Sequence, residues 1–137
     1  MERSIVTERE CFVDPTQSAV LKAAIDRIIP ADDFPSASEA GVMNYLDRIL
    51  AHDAADFVPA LHEGLAKLEL SAQNAYGHGF AVLSPDDQDG LLRAIENTPF
   101  FQRLVRLTSE GFYADPANGG NKDGVSWRMI GYKPDPV

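Results

Sequence analysis

The sequence predicts an all-α domain of about five helices, followed by a long Gly/aromatic-rich loop and an extended tail. Three observations point there. Apolar residues recur at helical spacing in runs divided by proline and small polar caps. No segment sustains the alternation of a strand. The 137 residues are the size of one compact domain, long enough to bury a sizeable core.

Each helix has its own signals. Asp14-Pro15-Thr16-Gln17 reads as an N-cap, a first-turn proline and a capping-box glutamine. Behind it Val20, Leu21, Ala24, Ile25 and Ile28 share one face, and Pro30 ends the run. After the loop Ala31–Ala37, Ser38 is the expected cap of a second helix, whose face is Val42, Tyr45, Leu46, Ile49 and Leu50. The third and longest helix is expected from about Asp56 to Tyr76, with Phe57, Leu61, Leu65, Leu68, Ala72 and Ala75 inward. Pro59 falls in its first turn, where the missing N–H costs little, and Gly77-His78-Gly79 stops it. Ser84-Pro85-Asp86-Asp87 opens a fourth, with carboxylates at the positive end of the dipole. Thr98-Pro99 opens a fifth with Phe101, Leu104, Val105, Thr108 and Phe112 on one stripe. The chain thus reads as one domain, with residues 1–13 a lead-in, 14–113 the helical body and 114–137 loop and tail.

Charge divides the chain differently. The net charge is −9, but residues 1–96 hold 17 acidic and 7 basic side chains, whereas residues 97–137 hold 4 and 5. This balance argues against nucleic acid, which needs a positive field, and against an anionic membrane surface. No apolar run approaches the roughly 18 residues of a bilayer span. The five charges of residues 1–13 leave no apolar core for a signal peptide. As read, the chain is complete from Met1 and cytoplasmic, or periplasmic if it is co-exported with a partner or processed.

Candidate chemistry is sparse. The single cysteine, Cys11, excludes a disulfide within the chain and any multi-cysteine metal site. Only Arg9 stands near it to lower its pKa, so an idle or packed thiol is the default reading. His52, His62 and His78 lack the i, i+4 or Glu-x-x-His spacing that puts two metal ligands on one helical face. His78 between two glycines fits a helix-stop turn. The loop through Asp115, Asn118, Asn121 and Asp123 lacks the twelfth-position glutamate of a calcium loop. Gly119-Gly120 has no strand before it and no Gly-Lys-Ser/Thr after it, so no phosphate cradle is expected. The acid pairs Asp32-Asp33 and Asp86-Asp87 sit where turns and helix starts already use carboxylates. No catalytic, cofactor-binding or metal residue is therefore predicted.

The tail is less easily explained. Phe112, Tyr113, Trp127, Met129, Ile130 and Tyr132 are large groups on turn-forming backbone, and Arg128 lies beside Trp127. Some could fold back on the helical core. As a set they have the composition of a partner surface, enriched in aromatics, Met and Arg and depleted in charge. These seven residues are the predicted partner contact.

The motifs Asp26-Arg-Ile-Ile-Pro30-Ala-Asp32, Ser38-Glu-Ala-Gly-Val42 and Gly111-Phe-Tyr-Ala-Asp-Pro116 carry a resemblance. So, above all, does Gly119-Gly-Asn121-x-Asp-Gly124-x-x-Trp127-x-x-Ile-Gly-Tyr132. Together they resemble the gluconate 2-dehydrogenase subunit 3 family, over about Phe12 to Pro134. The resemblance implies a small, non-catalytic subunit of a membrane-associated or periplasmic flavoprotein dehydrogenase. Its large partner would be a glucose–methanol–choline type oxidoreductase that holds FAD and oxidises sugars, polyols or sugar acids. In many such complexes a cytochrome c subunit takes the electrons. The small subunit would help the large one fold, mature or be exported. No Gly-x-Gly-x-x-Gly or Cys-x-x-Cys-His occurs in this chain, so FAD and haem are expected only in partners. Many members begin with a twin-arginine signal, whereas Arg3 and Arg9 here are isolated.

Two other functions stay open: a free-standing small enzyme working through His78 and nearby acids, or a helical ligand-binding or regulatory module. An adjacent reading frame with an FAD fingerprint would favour the accessory subunit over both.

Overall fold

The computed structural model describes residues 14–32 and 34–114. Five α-helices build it: α1 (Pro15–Ile28), α2 (Val42–Leu50), α3 (Val58–Tyr76), α4 (Pro85–Arg93) and α5 (Pro99–Phe112). Short 3₁₀ turns, Ala55–Phe57 and Phe80–Val82, precede α3 and α4, and no strand occurs among the described residues. The expected all-α class is what the chain adopts.

The starts of α1, α4 and α5 follow their local signals. The Asp14 carboxylate, the Ser84 hydroxyl and the Thr98 hydroxyl accept the backbone N–H groups of Gln17, Asp87 and Phe101, at 2.7, 3.2 and 3.2 Å. Each has proline next in sequence, whose missing N–H is an orphan of the first turn in any case. At the end of α3, Gly77 takes φ +73° and its N–H bonds to the Gln73 carbonyl, the left-handed stop that glycine adopts without Cβ strain.

Three local expectations need correcting. Gln17 does not close a capping box; its side-chain amide donates to the His62 carbonyl at 3.3 Å and ties α1 to α3. Ser38 does not cap α2, which begins only after Gly41. Instead the Ser38 N–H and Oγ–H both donate to the Asp26 carboxylate, at 2.8 and 2.6 Å. Ser36 and Glu39 pair side chain to backbone in the same turn. Asp26 thus fixes the connection that α2 leaves from. Finally, Ala75 is exposed, because α3 runs one turn past the core.

The core lies where α1 and α3 pack together and against α4, α5 and the Phe80–Val82 turn, with α2 laid on α5. Ile25, Leu61, Leu65, Phe80, Leu104 and Phe112 are fully buried in it. Leu107 joins them, although the α5 stripe read from sequence omits it. Backbone polar groups carried into this core find partners. The Phe80 N–H donates to Glu69 Oε1 at 3.0 Å, and its carbonyl accepts from the buried Gln88 amide at 2.9 Å. Thr108 is buried with its hydroxyl donating to the Leu104 carbonyl at 2.7 Å. Each removes the cost of a desolvated, unpaired group.

Two ion pairs brace the outside. Arg27 grips Asp89 through two hydrogen bonds, at 2.8 and 3.0 Å, joining α1 to α4. Arg103 grips Asp56 likewise and lies over the Phe57 ring, 5.0 Å from its centroid. In both pairs the hydrogen bond to the partner holds the carboxylate below, and the guanidinium above, its ordinary pKa.

Candidate functional site

The surface feature with the clearest build is an apolar groove between α3 and the corner where α4 turns into α5. Its free volume is about 230 Å³. On α3 it is lined by Ala60, Glu63, Gly64, Lys67, Leu68 and Ser71. That is i, i+3, i+4, i+7, i+8 and i+11, one continuous helical face about 16 Å long. Leu91, Ala94, Ile95, Thr98 and Phe100 form the opposite wall. Leu61, Leu65, Leu68 and Ala72 are the buried positions of α3, and Leu68 also floors the groove beside Ala60, Gly64 and Ser71, with Glu63 and Lys67 at its rim.

The geometry of the groove depends on Gly64. A Cβ built there would lie 2.4 Å from Cε1 of Phe100, so the ring rests directly on the α3 backbone. Phe100 stacks in turn on Phe57, with ring centroids 6.1 Å apart and planes 25° apart. Behind Phe57 stand Arg103 and Asp56. The wall is thus a braced stack rather than a loose side chain. At the rim Lys67 pairs with Glu63 at 3.1 Å, both well exposed.

Two of the seven predicted partner residues, Phe112 and Tyr113, lie among the described residues. Phe112 is 1% exposed and belongs to the core; α5 continues through Gly111, whose Cβ position would lie 2.7 Å from the Tyr45 ring. Phe112 therefore corrects to a packing residue in the described domain. Tyr113 is 47% exposed and packs edge-on against Phe112 at 5.2 Å. Trp127, Arg128, Met129, Ile130 and Tyr132 lie outside the described residues, as does Cys11. Tyr113 and the groove stand at opposite ends of α5, roughly 20 Å apart along its 14 residues.

Among the described residues the titratable groups form no cluster that could hold a metal ion, since no three His, Cys, Asp or Glu side chains gather closely enough. His78 is exposed in the turn after α3, and it does not line the groove. His52 is exposed after α2. The His62 Nε2 is buried without a hydrogen-bond partner. Burial raises the pKa of Tyr45, with Glu110 and Asp53 adding to it.

A family model described as gluconate 2-dehydrogenase subunit 3 matches residues 15–134, nearly the whole chain. The chain belongs to the gluconate 2-dehydrogenase subunit 3 family. No curated protein and no solved structure matches it at a significant level. Membership places this chain among the subunits of a multi-subunit dehydrogenase. In the structure the motif glycine Gly111 has a physical role, since Tyr45 of α2 packs where its side chain would stand. No described helix is long and apolar enough to cross a membrane.

Sequence reading missed the groove. Apart from Leu68, its α3 face is made of alanine, glycine, serine and an ion pair, which carry little weight in a hydrophobic pattern. The available signal was Gly64 itself. A glycine inside a long helix costs about 1 kcal/mol against alanine, and so asks for a packing reason.

Proposed function

We propose that this chain is a non-catalytic accessory subunit of an FAD-dependent dehydrogenase acting on a sugar, polyol or sugar acid. It binds the large glucose–methanol–choline type flavoprotein, which holds the FAD, and supports its folding or maturation. A cytochrome c subunit completes the complex where one is present. The single observation that carries this reading is the family match over residues 15–134.

The fold is compatible with such a role. A braced helical body with an open apolar groove suits a subunit that works by being bound. Trp127, Arg128, Met129, Ile130 and Tyr132, with Tyr113, are a second candidate contact on composition alone.

Co-expression tests the reading. A glucose–methanol–choline type flavoprotein from the same source is produced alone and together with this chain, and soluble yield and FAD content are measured. The expected result is higher yield and near-stoichiometric FAD only when both are made, with the two chains co-purifying. Equal yield and equal FAD content in the two cases would refute the role, as would substrate turnover by this chain alone.

A further inference from the structure

We draw no further inference here: the strongest candidate, the apolar groove between α3 and the α4–α5 corner, has at its rim the Glu63–Lys67 ion pair, already satisfied within itself, and nothing in the structure shows what covers it.

Discussion

Replacing Gly64 with alanine should destabilise this protein, against the ordinary preference of helices. In an open helix interior the change gains about 1 kcal/mol. Here the new Cβ would lie 2.4 Å from the Phe100 ring, well inside any real contact. The ring must move, and it cannot do so freely because it is stacked on Phe57. Overpacking of this kind costs about 1–3 kcal/mol, and a disturbed aromatic pair about 0.5–1.5 kcal/mol more. The net expectation is a loss of about 0.5–3.5 kcal/mol, seen as a fall of several degrees in Tm. A double-mutant cycle isolates the cause. In a Phe100→Ala background the obstruction is gone, and Gly64→Ala should then stabilise by about 1 kcal/mol. Urea or thermal denaturation of the four proteins supplies the cycle. If Gly64→Ala stabilises equally in both backgrounds, Phe100 does not rest on α3, and the groove wall is misdescribed.

Other expectations follow from single contacts. Phe112→Ala removes a fully buried ring and should cost about 3–5 kcal/mol by urea denaturation, whereas Tyr113→Ala should cost about 1 kcal/mol or less; similar losses would contradict the core placement of Phe112. Asp26→Ala leaves the Ser38 N–H and hydroxyl without their acceptor, so it should cost about 1–3 kcal/mol and speed amide exchange in the turn before α2; unchanged exchange there would refute the role given to Asp26. Asp89 has its pKa lowered by the Arg27 hydrogen bond, so its contribution is present above the ordinary carboxylate pKa of about 3.9 and lost as pH falls through the lower folded value. Asp89→Asn should therefore cost about 1 kcal/mol or less at pH 7 and flatten the acid limb of a stability–pH curve; an unchanged acid limb would show that the pair contributes nothing.

What was legible in the sequence was what is decided locally. Asp14-Pro15, Ser84-Pro85 and Thr98-Pro99 each hold a cap and its proline within four residues, and those three helix starts stand where they were expected. Where the outcome depends on a distant group, local reading fails. Gln17 had a local option in its own turn but bonds to His62, 45 residues away. Ser38 looked like a cap until Asp26, 12 residues earlier, took both its donors. Phe112 was legible on the α5 stripe, and its 1% exposure agrees with that rather than with its place among the expected partner contacts; Tyr45 packs where a side chain at Gly111 would stand.

The candidate site follows the same logic. A groove is a property of the gap between helices, and its small residues matter for the volume they leave empty. Nothing in the spacing of Ala60, Gly64 and Ser71 alone reveals that Ala94, Ile95 and Phe100 stand across from them. The family motifs, by contrast, are long strings of residue types, and these can be recognised without knowing what they touch.

The central claim is that this chain acts by being bound to a flavoprotein. It is tested most directly by the FAD content of the large subunit purified with and without this chain. The account predicts close to one FAD per large subunit in the presence of this chain and a large deficit in its absence. Full flavin loading of the large subunit made alone would contradict it.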